Sequence, residues 1–315
     1  SCAPWICAGM SLNCWPSNPT EFRTGRRHPQ NGFRDEAMKR PRLPLFDRMF
    51  RKTGQPARGR SLPTGSGSLK VATYNVHSCI DTSRSVNMEK IAAVIARMDA
   101  DAVALQEVDV HKSRSGHLHQ PQWLADRLDM NYRFYPLIES GDEKYGLAIL
   151  ARLPMKGIKF DRLPALALKR PREVRGAMWV RLRTRFGPVQ MVNTHLGLLA
   201  AERRLQVSAL LGKGWLAGTS PDKPLVFCGD FNAGLHSHVY RQIRQSLIDV
   251  RRAAGKRAAG ATFLSYLPML YLDHIFVSRH LVPVRVEVPL APPARSASDH
   301  LPLFAELKRT ELKAA

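Results

Sequence analysis

From residue 69 to residue 309, apolar runs of strand length alternate with segments whose apolar residues recur at helical spacing. The runs predict strands over 69–76, 102–106, 147–151, 177–182, 189–194, 225–228, 272–277, 283–288 and 301–307. The spaced segments predict helices over 87–97, 123–128, 202–216 and 238–248. In the third of these helices, the residues expected to face the core are Leu205, Ala209 and Leu216.

The order of these elements limits the fold. Several neighbouring strands have no helix between them, which excludes a pure doubly wound sheet. An α/β sandwich of mixed sheets with helices on the outside fits the order instead. The stretch shows no internal repeat, so residues 69–309 are predicted to form one domain.

Residues 1–68 have a different character from the rest of the chain. Pro, Gly, Ser, Arg and Asn are scattered there without a period of 2 or 3.6, and the stretch ends in Thr-Gly-Ser-Gly-Ser. We predict a disordered basic segment over 1–68 and a short tail over 310–315. Because the chain begins with Ser1, Met38 and Met49 are candidate start residues. A basic arm that contacts nucleic acid or membrane is the alternative for this segment.

The positive charge of the chain points to polyanionic partners. The 315 residues hold 48 Lys and Arg against 26 Asp and Glu, a net charge of +22. Residues 1–68 hold 12 basic and 4 acidic residues (+8), which leaves 36 and 22 (+14) for 69–315. Such a surface attracts nucleic acid, anionic lipid or phosphorylated small molecules without choosing among them. A genome rich in Arg codons would raise the charge as well.

Cysteine usage and hydropathy bear on location. The five cysteines form no Cys-x-x-Cys pair, so neither a disulfide framework nor a zinc site is expected. That favours a reducing compartment, and we expect a cytoplasmic monomer, with peripheral membrane association as the alternative. No apolar run reaches the roughly 18 residues of a membrane span, so no transmembrane helix is expected.

Polar residues at the ends of apolar strands carry the candidate chemistry. Asn75 ends the first predicted strand, and its amide suits either a hard cation or a phosphate oxygen. Glu107 follows a wholly apolar strand, where a carboxylate needs a cation or a salt bridge. His195 ends another strand, and taken alone it fits a core histidine equally well.

The second half of the chain adds the more specific motifs. Asp230 and Asn232, two residues apart after a glycine, point the same way on an extended segment. One can take a proton from water while the other orients the water or a phosphate. Asp273 is buried in an apolar strand and needs a partner, for which a histidine is suited. The adjacent Asp299 and His300 suit a site that binds both metal and phosphate.

Together, Gln-Glu at 106–107, Gly-Asp-Phe-Asn at 229–232 and Ser-Asp-His at 298–300 resemble the endonuclease/exonuclease/phosphatase superfamily. The resemblance covers nearly all of 69–309. It implies a four-layer α/β sandwich, in which two mixed, mainly antiparallel sheets are flanked by helices. It also makes residues 69–309 the catalytic domain of a hydrolase that uses Mg²⁺ or Mn²⁺.

The resemblance also implies roles for individual residues. Asn75, Glu107 and Asp299 match residues at or near the metal. The residues that match catalytic positions are Asp230 and Asn232 for the attacking water, His195 and His300 for the phosphate, and Asp273 for orienting His300. Hard oxygen ligands favour Mg²⁺ or Mn²⁺ over zinc.

Four further residues are weaker candidates for contact with the substrate or the site. Glu143 could orient His195, and Arg175 could clamp a phosphate or be an ordinary hairpin charge. Tyr266 and Tyr271 could stack on a base or insert into lipid, with core packing as the alternative.

The function expected from these residues is divalent-metal-dependent hydrolysis of a phosphodiester, first of all by a nuclease acting on DNA or RNA. The alternative is hydrolysis of a phospholipid head group or a small phosphoester at a membrane surface. A silent binding protein with the same fold is the third hypothesis. His195 places the chain closer to the deoxyribonuclease, sphingomyelinase and deadenylase branches than to abasic-site endonucleases, which usually carry an aromatic residue there.

Overall fold

The computed structural model of the protein describes residues 67–167, 173–219, 223–255 and 259–310. Of the predicted disordered segment and tail, only residues 67, 68 and 310 are described, and residue 68 already lies in the first strand. The rest of both predictions falls outside the described residues.

Two six-stranded sheets form the body of the described chain. The first sheet has the order β11-β12-β1-β2-β4-β3, with strands β1 (Ser68–Asn75), β2 (Ala102–Val110), β3 (Asn131–Ser140), β4 (Glu143–Ala151), β11 (Leu281–Glu287) and β12 (Leu303–Arg309). The second has the order β5-β6-β7-β8-β10-β9, with strands β5 (Met155–Arg162), β6 (Gly176–Thr184), β7 (Gly187–His195), β8 (Leu225–Asp230), β9 (Ile248–Asp249) and β10 (Asp273–Val277).

Helices flank these sheets on the outside. They are α1 (Met88–Met98), α2 (Gln120–Leu128), α3 (Ala200–Leu211), α4 (His238–Ile243), α5 (Val250–Ala253) and α6 (Ala294–Ala297). Asn87 caps α1 by accepting a hydrogen bond from the backbone N–H of Lys90, as an N-terminal Asn is suited to do. None of the helices in the described ranges is long and apolar enough to cross a bilayer.

Strand pairing is mixed but mainly antiparallel. Among the described strands, β1 pairs with β2 and β7 pairs with β8 in parallel, and the other pairs are antiparallel. Each parallel pair is joined through a helix, α1 in the first sheet and α3 in the second. This confirms the predicted four-layer α/β sandwich.

Three apolar layers separate the four structural layers. The inner one lies between the sheets and includes Val71 and Ala104 from the first sheet and Met191 and Val226 from the second. A second layer packs the outer face of the first sheet against α1 and α2, and a third packs the second sheet against α3 and α4. Because side chains alternate along a strand, each central strand supplies both an inner and an outer layer.

The pattern left some elements undetected. Strands β3 and β5 were not predicted, because their residues are only partly buried and mix polar with apolar side chains. Helix α3 ends at Leu211 before Gly212, so the prediction that it continues to Leu216 is wrong. Leu205 is exposed on α3, and the helix buries Gln206 instead, whose Oε1 accepts from the backbone N–H of a loop glycine.

Candidate active site

The inner layer ends in polar residues at one edge of the sandwich. Asn75 continues the inward-facing set of β1, which includes Leu69 and Val71. His195 and Asp230 do the same at the ends of β7 and β8, and Asp273 does so at the start of β10. The period of two that builds the core therefore also gathers these four side chains at one place.

Strand register brings the members of the second sheet into line. His195 is the register partner of Asp230, and Asp230 is the partner of Asp273. The close approach depends on Gly229, which has φ +147°, where a Cβ would lie 1.9 Å from the Thr194 carbonyl oxygen. Glycine is therefore required one residue before the central carboxylate.

A bulge in β2 directs Glu107 into the same site. The register with β4 shifts between Leu105 and Val108, and Glu107 itself has φ +58°, which is uncommon for a residue with a side chain. Asn75 Nδ2 donates to Glu107 Oε1 at 2.9 Å and to Asp230 Oδ2 at 3.0 Å. Burial raises the pKa of the Glu107 carboxyl.

The amide of Asn75 thus bridges two carboxylates. Its Oδ1 accepts from the backbone N–H of His77 at 3.0 Å, so the NH2 group and not the oxygen is directed at the two carboxylates. In this arrangement Asn75 positions Glu107 and Asp230, and a ligand role for its oxygen requires the amide to rotate.

Asp230 lies at the centre of the cluster and is almost fully buried. Its Oδ1 accepts from the backbone N–H of Asn232 at 2.9 Å, and its Oδ2 lies 3.4 Å from His195 Nε2 and 3.7 Å from His300 Nε2. Burial raises the pKa of Asp230 from 3.8 to about 7, although the charge of His300 works against that rise. A carboxyl of this kind is suited to exchange a proton near neutral pH.

His300 is held in its charged form by Asp273. The Nδ1–H of His300 donates to Asp273 Oδ2 at 2.8 Å. Burial would lower the pKa of His300, but the charges of Asp273 and Asp230 outweigh it and raise the pKa to about 10. Asp273 Oδ1 is buried and has no hydrogen-bond partner among the described residues, so the hydrogen bond to His300 and the nearby charge of Arg251 compensate this carboxylate.

His195 is in the opposite state. Arg175 Nη1 donates to His195 Nδ1 at 2.9 Å, and the same guanidinium nitrogen contacts Glu173 Oε1 at 2.8 Å. Burial, with a further contribution from Arg175, lowers the pKa of His195 well below 6.5. The ring is therefore neutral, and because Nδ1 accepts, its proton is on Nε2 and faces Asp230 Oδ2.

Asn232 closes the site beside His195. Its Nδ2 donates to the Leu196 carbonyl oxygen at 2.9 Å and lies 3.1 Å from His195 Nε2. Two N–H groups cannot donate to each other, so the amide proton goes to Leu196 and the ring proton faces the carboxylate. Asn232 also has φ +47°. Asn232 and Glu107 therefore share a left-handed backbone conformation that is uncommon for residues with a side chain.

The remaining predicted residues lie around this cluster. Asp299 is half-buried, with Oδ1 3.7 Å from His77 Nδ1 and 3.3 Å from Ser298 Oγ. Glu143 accepts from the backbone N–H of Ser113 at 2.9 Å, and Arg175 occupies the position at His195 that was expected for Glu143.

The two candidate tyrosines have different surroundings. Tyr266 is exposed on a loop, with 61 % of its surface accessible. Tyr271 is partly buried, and the guanidinium of Arg251 lies 5.5 Å from its ring centroid. Tyr266 is therefore accessible to a ligand and Tyr271 packs against Arg251, and contact with a substrate stays a prediction for both.

A cleft of about 230 Å³ opens beside Glu107. The basic side chains that line it are held in ion pairs: Arg114 donates to Asp109 at 2.8 Å, and Lys112 lies 3.4 Å from Glu143. The other lining residues are His77, Ser78, Ile80, Ile138, Tyr145 and Glu173. Tyr145 and Glu173 were not predicted from the sequence. Residues 173–175 reach the site through the β6–β7 register, which pairs Gly176 with His195 and which the sequence alone does not give.

Two groups of residues could hold a cation. Donor atoms of Asp230, Asp273 and His300 lie within 4.8 Å of one another. However, the charged ring of His300 has no free lone pair to offer a metal. Glu107 fits a hard cation better, because its half-buried carboxylate lines the cleft and its Oε2 has no hydrogen-bond partner among the described residues.

The chain belongs to the endonuclease/exonuclease/phosphatase family, whose model matches residues 72–300. The two-sheet fold agrees with this membership, and the family is one of phosphoester hydrolases. No curated protein matches the chain.

Solved structures with the same fold come from bacteria and animals. An endonuclease/exonuclease/phosphatase from Beutenbergia cavernae has 22% identity and a TM-score of 0.65, with 79% of this chain and 73% of that chain covered. The Bacteroides thetaiotaomicron mannosyl-6-phosphatase has 20% identity and a TM-score of 0.59, covering 76% and 99%. The catalytic domain of human Nocturnin, solved with bound sulfate, has 22% identity and a TM-score of 0.57, covering 77% and 94%. At these identities the likeness establishes the fold alone.

Proposed function

We propose that this protein is a divalent-cation-dependent phosphodiester hydrolase whose active site is the cluster around Asp230. The observation that carries the proposal is one buried carboxylate between two histidines in different charge states. His300 is held charged by Asp273, and His195 is held neutral beside Arg175. Family membership supports the reaction class, and the buried cluster supports the residues.

Each residue then has a distinct role in the attack of water on phosphorus. Asp230 takes the proton of the attacking water, since burial raises its pKa to about 7. Asn232 fixes Asp230 through its backbone N–H and orients the water or the phosphate. His300, as an imidazolium, neutralises charge that develops on a non-bridging oxygen. His195 donates its Nε2–H to the same phosphate without carrying charge.

The cation has its place at Glu107. When bound, Mg²⁺ or Mn²⁺ supplies positive charge that stabilises the developing charge on the phosphate and the leaving group. Glu107 would supply a carboxylate ligand, and Asn75 and Asp299 are the further oxygen donors that we propose for the cation, Asn75 after rotation of its amide. Oxygen donors of this kind favour Mg²⁺ or Mn²⁺ over zinc.

The charge of the chain and an exposed loop bear on the class of substrate. The positive charge supports a polyanion, and nucleic acid, the first expectation from the sequence, meets that requirement. An anionic phospholipid surface meets it equally well. An exposed apolar loop beside His300 favours the phospholipid, so lipid hydrolysis is the second candidate function. His195 supports a position near the deoxyribonuclease, sphingomyelinase and deadenylase branches.

The proposal also covers the state of the protein. It is a monomer of a reducing, cytoplasmic compartment, and the buried free thiols of Cys79 and Cys228 support the reducing compartment.

The test is hydrolysis of three substrates in parallel, with Mg²⁺ and with EDTA: plasmid DNA, a generic RNA and bis-p-nitrophenyl phosphate. We expect Mg²⁺-dependent cleavage of the small diester, and Glu107→Gln should raise the Mg²⁺ concentration needed for half-maximal rate. Cleavage of nucleic acid at low enzyme concentration would favour the nuclease. Absence of cleavage of every substrate would contradict the proposal and favour a silent binding protein.

A further inference from the structure

A loop next to the active site exposes an unusual run of apolar side chains. Residues 263–270, here called the rim loop, lie shortly before Asp273. The exposed fractions at its tip are 61 % for Tyr266, 59 % for Leu267, 70 % for Met269 and 51 % for Leu270. Single exposed apolar residues are ordinary, but a contiguous group marks a surface that binds something.

The base of the rim loop is firmly tied. The backbone N–H of Leu270 donates to the Phe263 carbonyl oxygen at 2.7 Å, and that of Ser265 donates to the Asp299 carbonyl oxygen at 2.8 Å. Arg295 Nη1 donates to the Tyr266 carbonyl oxygen at 3.0 Å. The backbone hydrogen bonds are satisfied at the base, so the fold itself presents the apolar tip to the outside.

Apolar side chains lie near both histidines of the site, in space for His300 and along the chain for His195. The ring of Phe263, at the base of the rim loop, is 4.8 Å from the ring of His300. Leu198 follows His195 by three residues in the chain, and 62 % of its surface is exposed. A surface that receives the tip of the rim loop would therefore lie close to His300.

Charge narrows the choice of partner. Arg295 is exposed and bonded to the rim loop at Tyr266. The segment that carries the exposed Arg84 is joined to the segment of Arg295 by a hydrogen bond from the Thr82 N–H to the Ser296 carbonyl oxygen at 3.1 Å. A second copy of this chain would bring like charges together. Nucleic-acid bases stack on aromatic rings, but Tyr266 is the one aromatic residue at the exposed tip, and the other three, Leu267, Met269 and Leu270, are not aromatic. Acyl chains beneath anionic head groups match both the apolar tip and the basic flank.

We propose that the rim loop and Leu198 bind the surface of an anionic phospholipid bilayer, so that the scissile phosphodiester is that of a lipid head group. The statement about the substrate rests on the second candidate of the proposed function, lipid hydrolysis, but the statement about membrane binding does not. The rim loop inserts its aliphatic tip, and Arg295 and Arg84 contact the head groups.

Binding is tested with the full chain in EDTA, so that hydrolysis does not interfere. Flotation with vesicles of phosphatidylcholine and phosphatidylglycerol at a ratio of about 7 to 3, a composition that carries negative surface charge, should recover the wild type. The double variant Leu267→Ser/Met269→Ser should bind on the order of 30-fold more weakly. Arg295→Gln should weaken binding to these vesicles about fivefold, and vesicles of pure phosphatidylcholine should bind less protein.

A matched control separates this surface from general hydrophobicity. Val282 and Val284 are exposed on edge strand β11, away from the rim loop in sequence. Val282→Ser/Val284→Ser should bind the vesicles like the wild type. Leu267→Ser/Met269→Ser should also hydrolyse bis-p-nitrophenyl phosphate at the wild-type rate, because that diester needs no membrane.

The opposite results are equally clear. Equal vesicle binding by the wild type and Leu267→Ser/Met269→Ser would overturn the proposal. So would a wild type that ignores vesicles but whose binding to a single-stranded DNA oligonucleotide weakens in the same variant, since the loop would then contact nucleic acid. If the wild type binds vesicles through the loop but fails to hydrolyse the soluble diester, the proposed function fails and membrane binding stands.

Discussion

Replacing Asp273 by Asn removes the carboxylate that keeps His300 charged. Asp273 accepts from His300 Nδ1 at 2.8 Å, and the pKa of His300 is about 10 although burial opposes protonation. The difference between 6.5 and about 10 corresponds to about 5 kcal/mol in favour of the imidazolium. Asn carries no charge, so less opposes the burial penalty on the imidazolium, and the pKa of His300 should fall well below about 10. Hydrolysis should slow by about 10²–10⁴-fold.

The pKa is read from the imidazole ¹⁵N resonances of metal-free protein, titrated through neutral and alkaline pH, with the His300→Gln variant assigning the signal. Asp299→Asn is the control, because Asp299 is half-exposed and contributes less than Asp273 to the pKa of His300. That variant should keep the pKa near about 10. A pKa of His300 that stays near about 10 in Asp273→Asn would refute the reasoning and assign the charged state to Asp230 alone.

Three further predictions concern the strand ends. Gly229→Ala should lower the free energy of unfolding by about 2–4 kcal/mol, since its Cβ would strike a carbonyl of β7, whereas Gly234→Ala, with open space around it, should change it little; denaturant unfolding compares the two. Arg175→Gln should lower kcat at least about tenfold with little change in KM, because His195 loses the donor that fixes its tautomer. Burial lowers the pKa of His274 from 6.5 to about 4, so its contribution to stability is complete above pH 6.5 and is lost as pH falls toward about 4. That loss, about 3 kcal/mol, should show as a steeper decline in metal-free wild type than in His274→Gln.

Much of the site could be predicted because it follows from strand periodicity. Asn75, His195 and Asp230 end strands whose alternate residues are apolar and face the inner layer. A polar residue at the next inward position has to meet its counterparts from the other strands. The candidate positions could therefore be found from local pattern and order, without knowledge of which sheet each strand joins, whereas their roles came from the family resemblance.

Contacts that depend on register could not be predicted in the same way. Arg175 reaches His195 only because β6 and β7 pair Gly176 with His195, and a shift of one residue would turn the side chains to the other face. The bulge that turns Glu107 inward is also set by pairing, here with β4. Edge strand β5 was missed because a half-exposed strand lacks the apolar run that marks a central one.

The charge state of the histidines was likewise beyond the sequence. Both were expected to contact the phosphate, and an imidazolium was a reasonable form for either. The structure differs for His195, because its neighbour at Nδ1 is a guanidinium rather than a carboxylate. A residue's pKa depends on what the fold brings against it, and chain order alone does not supply that.

The most direct test of the central claim is the rate of bis-p-nitrophenyl phosphate hydrolysis by Asp230→Asn and wild-type protein, purified in parallel and assayed with saturating Mg²⁺. Circular dichroism checks that both are folded. Asn keeps the shape of the side chain but cannot take a proton, so kcat should fall at least about 10³-fold. A variant that retains wild-type kcat would contradict the account, because the reaction would then proceed without the carboxylate around which the site is built.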